Sequence, residues 1–99
     1  MLHIVNKSHA QTATLQSCLR LAQPGSALLL IEDAVYAATA SGATVSGVGG
    51  AVKTLKVYVL QPDVEARGMN GKLVDGVTAV DYGGFVDLVA EHNTCQSWL

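Results

Sequence analysis

Two cysteines and one pair of adjacent carboxylates are the residues of this sequence best suited to chemistry. Cys18 and Cys95 carry thiols, whose deprotonated forms are nucleophiles and metal ligands. Glu32 and Asp33 follow the apolar segment LLLI, and a carboxylate in such a place could serve as a catalytic acid or base. Each chemistry needs particular surroundings, so the elements that hold these residues decide what they do.

The carboxylate pair follows a segment with the pattern of a buried strand. Residues 27–31 form a continuous apolar run of strand length, which favours a strand covered on both faces, as in a parallel sheet. Asp33 is a good N-cap for a helix over residues 34–38, and the dipole of that helix also favours Glu32. Because capping explains both residue types, we expect a strand-to-helix hinge here rather than a catalytic pair.

Strands and helices alternate along the rest of the chain. Apolar segments predict further strands at residues 2–5, 56–60 and 77–80. Capping residues, proline and glycine predict the helices: from Asn6 or Ser8 to about Ala22, from Pro62 to Gly68, and from Asp81 through about Glu91. This order predicts one α/β domain over residues 1–99, with a small, mostly parallel sheet of about four strands.

The segment SGATVSGVGG, residues 41–50, is the glycine-rich part of the chain. A phosphate-binding loop needs its glycines after a strand and at the start of a helix, where backbone N–H groups meet the phosphate. Here the glycines precede a predicted strand, and neither GxGxxG nor GxxxxGK[ST] is present. We therefore predict a flexible surface loop.

Composition limits the partners. With six basic residues scattered along the chain and a net charge of −2, we expect no direct nucleic-acid binding. No apolar run is long enough for a membrane span, and the N-terminal MLHIVNKSHA does not resemble a signal peptide. We therefore expect a soluble cytoplasmic protein with reduced cysteines. The chain is 49% hydrophobic and 14% charged, which favours an apolar face that a partner covers.

Neither cysteine has the sequence context of a metal site. His92-x-x-Cys95 supplies two ligands where a structural zinc needs four, and nothing marks His3 or His9 as completing the set. We expect no metal and no cofactor, and interpret the pair as part of a polar tail. Cys18 shares an apolar helical stripe with Leu15, at the spacing of a buried cysteine.

Five segments in order, LHIVNKS, LLLIEDAVYAA, KVYVLQPDVEARG, VDYGGFVDLV and CQSWL, resemble the DsrH/TusB family from Met1 to Leu99. Ala34 stands where family members often have glycine, which affects local backbone freedom only. The resemblance implies a three-layer α/β/α fold of the DsrE type. It also implies a subunit of a sulfur-relay complex, a dimer of heterotrimers with DsrE/TusD-like and DsrF/TusC-like subunits.

The resemblance also implies a role for Cys18. Such complexes pass persulfide sulfur from a TusA-like donor to a TusE/DsrC-like acceptor, for 2-thiolation of wobble uridine in tRNA or for sulfur oxidation. The main cysteine lies on the DsrE/TusD-like subunit, and Cys18 matches a further cysteine of DsrH-type members. We expect Cys18 to be a partly accessible, secondary persulfide carrier and Cys95 to have no relay role. The alternative is a noncatalytic scaffold subunit without thiol chemistry.

Overall fold

The computed structural model describes residues 1–98, which fold around one parallel sheet. The elements in chain order are β1 (Leu2–Val5), α1 (Thr14–Leu21), β2 (Ala27–Leu30), a 3-10 helix (Glu32–Ala38), α2 (Ala43–Ser46), α3 (Val48–Ala51), β3 (Lys56–Leu60), α4 (Gln61–Ala66), β4 (Val77–Val80), α5 (Tyr82–Glu91) and β5 (Cys95–Trp98). The strand order is β4-β3-β2-β1-β5, and all four pairings are parallel. The predicted α/β class with a parallel sheet is confirmed.

Apolar side chains on both faces of the central strand β2 produce the three layers. Leu28 and Leu30 point into a first core, which α1, the 3-10 helix, α3 and α4 cover. Ala27 and Leu29 point into a second, smaller core that only α5 covers, through Leu88. All four residues of β2 are buried, as expected for a parallel strand between two helical layers.

The sheet has five strands where about four were predicted. The missed strand is β5, which we interpreted from the sequence as a polar tail; it pairs in parallel with β1 at one edge of the sheet. Its residues are mostly exposed, as at many sheet edges, so it lacks the apolar run that marks a buried strand. Trp98 partly fills the first core from this strand.

One local prediction was wrong because a side chain forms a turn instead of a helix cap. Helix α1 begins at Thr14 rather than after Asn6 or Ser8, and its N-cap, Ala13, makes no side-chain hydrogen bond. Ser8 forms a tight turn: its hydroxyl accepts from the N–H of Ala10 at 3.1 Å. By contrast, Asp81 caps α5 as predicted, accepting from the N–H of Gly84 at 2.7 Å.

The glycine-rich segment is packed, contrary to the prediction of a flexible loop. It contains the one-turn helices α2 and α3, and the side chains of Ser46 and Val48 are buried. The Ser46 hydroxyl donates to the carbonyl of Ala37 at 2.8 Å and accepts from the N–H of Val48 at 3.2 Å. The bond to Ala37 holds the segment to the 3-10 helix.

A contact between two rings, buried His3 and partly buried Trp98, fastens β5 to β1. The indole N–H of Trp98 donates to Nδ1 of His3 at 3.2 Å, and His3 is only 5% exposed. Burial, and to a lesser extent the charged amino terminus of Met1, lowers the pKa of His3 below its usual value. His3 must therefore be neutral, with Nδ1 unprotonated, to accept this bond.

This pair predicts a loss of stability in acid. Because the pKa of His3 is lower in the folded chain than in the unfolded chain, its contribution is present above the unfolded value of about 6.5 and is lost as the pH falls through the folded value. In urea unfolding between pH 7.5 and pH 5, the unmodified chain should lose more stability than His3→Gln, which keeps an acceptor but does not titrate. Breaking the Trp98 bond should itself cost about 1 kcal/mol. Equal losses in both chains would contradict this.

Candidate functional site

Cys18 lies in the interior of the first core. It sits on α1 beside Leu15 in the predicted apolar stripe, and its side chain is 0% exposed. Burial raises the pKa of its thiol to about 11. The expected partial accessibility of Cys18 is therefore wrong for the isolated chain, because the 3-10 helix, α3 and α4 pack into the same core and close over it.

The environment of Cys18 limits what it can do in this conformation. With a pKa of about 11, roughly one thiol in ten thousand is ionised at pH 7. A groove of about 400 Å³ runs beside α1, lined by its neighbours Leu19 and Arg20 and by Val45 and Gly47 of the glycine-rich segment, but Cys18 does not line it. A sulfur donor could reach Cys18 only if one of the elements around this core moved. Whether Cys18 carries sulfur stays a prediction.

Cys95 has the opposite setting. It is exposed at the start of β5, a sheet strand rather than the polar tail that we expected, and it forms no disulfide with Cys18. Its register partner on β1 is Leu2, which places both side chains on the second face of the sheet. The nearby His92 has its Nδ1 2.7 Å from the carbonyl of Leu88. No group of three or more potential metal ligands occurs within residues 1–98.

The segment with the two adjacent carboxylates takes part in a clamp between two helices, through the Asp33 carboxylate and the backbone N–H of Glu32. Asp33 does not cap a helix as predicted: the 3-10 helix already begins at Glu32. One oxygen of the Asp33 carboxylate instead accepts a hydrogen bond from Nε of Arg67 at 3.0 Å and forms an ion pair with Nη2 at 3.0 Å. Arg67 follows α4 and also donates to the backbone carbonyl of Asp63 at 3.3 Å.

The clamp also holds an unusual backbone turn. Glu32 has a φ of 51°, a left-handed conformation that is uncommon outside glycine. Its N–H donates to the Asp63 carboxylate at 2.7 Å, which stabilises this turn at the end of β2. The carboxylates of Asp33 and Asp63 both have structural partners. The segment is therefore a strand-to-helix turn, as expected, but Arg67 and Asp63 hold it rather than a helix cap.

Helix α5 carries an exposed apolar surface whose position was not predicted from the sequence. Five side chains of α5 form it, and we call this surface the α5 face: Tyr82, Phe85, Val86, Val89 and Ala90. Tyr82 is 62% exposed and Val86 66% exposed, although Leu88 of the same helix is buried. A signal was present, because a helix that is apolar on more than its core-facing side is typical of an interface. No helix within residues 1–98 has the length and apolarity needed to span a bilayer.

Comparisons with known proteins identify the family. The model of the family described as "DsrH like protein" matches residues 7–95. The chain is 39% identical to TusB of Pectobacterium parmentieri over 100 residues, and 41% identical to TusB of Klebsiella pneumoniae over 100 residues. Each match covers 99% of this chain and 100% of the relative.

Solved structures support the fold. The YchN protein of E. coli superposes with a TM-score of 0.74 at 18% identity, covering 97% of both chains. A protein of unknown function from Methanobacterium thermoautotrophicum gives the same TM-score and identity, covering 97% of this chain and 95% of its own. The matches over nearly the whole length, together with the parallel three-layer architecture, show that this chain belongs to the DsrH/TusB family.

Proposed function

We propose that this chain is a subunit of a cytoplasmic sulfur-relay complex, assembled with DsrE/TusD-like and DsrF/TusC-like subunits as a dimer of heterotrimers. The observation that carries the proposal is the match to TusB proteins over 99% of the chain at about 40% identity. The name shared by these relatives favours the branch that ends in 2-thiolation of wobble uridine in tRNA over sulfur oxidation. The TusA-like donor and the TusE/DsrC-like acceptor are the expected carriers.

Within that complex the geometry favours an assembly role for this subunit over a primary carrier role. Cys18 is the cysteine that matches the family position. It is fully buried, and the pKa of its thiol is raised to about 11, whereas a sulfur carrier needs an accessible thiolate. Its α5 face, in contrast, exposes large apolar side chains. This agrees with the family resemblance, which implies that the main sulfur-bearing cysteine lies on the DsrE/TusD-like subunit.

Cys18 remains our candidate for a secondary carrier when partners hold α1 in another position. In that step the Cys18 thiolate attacks the outer sulfur of a donor persulfide. A new sulfur–sulfur bond forms on Cys18, the bond within the donor breaks, and the donor cysteine leaves as a thiolate. Electrons balance without an added oxidant.

Co-expression tests the assembly. The chain should co-purify with both sister subunits and elute with them as one species of hexamer mass, measured by light scattering after size exclusion. The free chain at the same concentration is the control. A free chain that remains a stable monomer and binds neither sister, alone or together, would overturn the proposed function.

Sulfur loading tests Cys18. After incubation with a persulfide-loaded TusA-like carrier, intact mass spectrometry should show the mass of one added sulfur atom within the assembled complex but not on the free chain. That sulfur should disappear with Cys18→Ala and persist with Cys95→Ser. Added sulfur that persists in Cys18→Ala but disappears in Cys95→Ser would contradict the assignment of Cys18 as the carrier.

Thiol labelling gives a second measure on the free chain. At pH 7, Cys95 should alkylate about a hundredfold or more faster than Cys18, because Cys18 is buried and almost fully protonated. Since the pKa of Cys18 is raised, its rate should keep increasing with pH up to about 11. Equal rates at pH 7 would show that α1 already opens in the free chain.

A further inference from the structure

The turn that follows α4 contains Asn70 directly before Gly71, a pair that the proposed function does not use. The N–H of Lys72 donates to the carbonyl of Met69 at 3.1 Å and closes this turn, with Asn70 and Gly71 at its central positions. Gly71 has a φ of 73°, which a type II turn requires at this position and which glycine adopts without strain. Asn70 is exposed, so its side-chain amide is in contact with solvent.

The backbone nitrogen of Gly71 is free to attack the Asn70 side chain. Among residues 1–98, the Gly71 N–H donates to no hydrogen-bond acceptor. No heavy atom of a non-neighbouring residue lies within 4 Å of the position that a Cβ would take on Gly71, so the peptide before it has room to rotate. The reacting atoms belong to adjacent residues, so the attack closes a five-membered ring and needs little further ordering.

The other two asparagines of the chain lack these features. Asn93 is also exposed, but Thr94 follows it, and the branched side chain of Thr94 hinders attack by its backbone nitrogen. Asn6 is followed by Lys7, and the side-chain oxygen of Asn6 is buried. Asn70 is therefore the asparagine most open to attack, and Asn93 is a control within the same molecule.

Gln61, the first residue of α4, restrains the side chain of Asn70. Its amide nitrogen Nε2 donates to Oδ1 of Asn70 at 2.7 Å and to Oε1 of Glu65 at 3.2 Å. The side-chain carbonyl carbon of Asn70 must turn toward the Gly71 nitrogen to react, so the bond from Gln61 has to break first.

We propose that Asn70 is a site of spontaneous deamidation in the folded chain, with water as the only co-reactant, and that Gln61 limits its rate. The Gly71 nitrogen loses its proton to hydroxide and forms a bond with the side-chain carbonyl carbon of Asn70. The bond from that carbon to Nδ2 breaks, and Nδ2 leaves as ammonia after taking a proton from water. Water then opens the resulting succinimide ring and gives aspartate or isoaspartate at position 70, without oxidation or reduction.

The two products affect the turn differently. Aspartate adds one negative charge and keeps the normal backbone, whereas isoaspartate also adds one methylene to the main chain. The residues after the turn hold it to the end of the 3-10 helix. The carbonyl of Lys72 accepts from the N–H of Ala40 at 2.8 Å, and the N–H of Val74 donates to the carbonyl of Ala38 at 2.8 Å. A longer turn should weaken both bonds.

Ageing of the full chain in mildly alkaline buffer tests the site. Isoelectric focusing should show a form with one more negative charge, and peptide mapping by mass spectrometry should place it at Asn70, converted about tenfold or more faster than Asn93. The rate should rise with pH, because the Gly71 nitrogen must lose a proton. Asn70→Gln keeps the amide but needs a larger ring. An acidic form that arises equally fast in Asn70→Gln, or conversion of Asn93 that keeps pace, would overturn the proposal.

Two glutamine variants test the restraint. Gln61→Ala should speed the conversion of Asn70 about fivefold, because it removes the hydrogen bond that must otherwise break. Gln16→Ala, at an exposed glutamine of α1, should leave the rate unchanged. Thermal unfolding verifies that both variants fold. An unchanged or slower conversion in Gln61→Ala would overturn the role of Gln61.

Urea unfolding tests the effect on the turn. The purified isoaspartate form should unfold at a lower urea concentration than Asn70→Asp, which carries the same charge on a normal backbone. Equal midpoints would show that the added methylene does not weaken the bonds to the 3-10 helix, which would contradict this part of the inference.

Discussion

The structure depends on the burial of β2 from both sides. Its four residues, ALLL, project leucines into one core and an alanine and a leucine into another, so this strand is stable only between two layers of helix. Burying each leucine contributes about 2 kcal/mol relative to an exposed side chain. The helices of the first layer lie in the three connections that join β1 to β2, β2 to β3 and β3 to β4. Helix α5, which follows β4, forms the second layer.

The unequal number of helices on the two sides of the sheet explains why thiol chemistry is disfavoured on the first side and contact with a partner is favoured on the second. The first core is closed by four elements, and Cys18 is inside it, which raises the pKa of its thiol and keeps reactants away. The second core is covered by a single short helix, which leaves its own outer side and part of the sheet apolar and exposed. A subunit built this way gains stability when a partner covers the second side.

The parts of the fold that the sequence predicted are those with strong local signals. Strands β1 to β4 follow from apolar runs, and α5 begins after Asp81 because the Asp81 carboxylate caps the helix. Prediction failed where distant residues decide the local conformation. Asp33 looks like a cap, but Arg67, 34 residues later, binds its carboxylate.

At the candidate site, too, local sequence patterns predicted well and contacts between distant residues could not be predicted. Helical spacing indicated a buried Cys18, and the structure agrees with that indication rather than with the accessible thiol that the family resemblance implied. Strand β5 was missed because its only partner is β1, at the other end of the chain, and the contact between His3 and Trp98 cannot be inferred from local pattern.

Hydroxyl-radical footprinting of the assembled complex tests most directly whether the open side of the sheet is the assembly surface. Tyr82 on the α5 face and Tyr36 on the 3-10 helix are exposed tyrosines on different elements, at 62% and 36%. On assembly with both sister subunits, oxidation of Tyr82 should fall several-fold while that of Tyr36 stays near its value in the free chain. Protection of Tyr36 with an unchanged rate at Tyr82 would contradict the assignment of this side of the sheet to assembly.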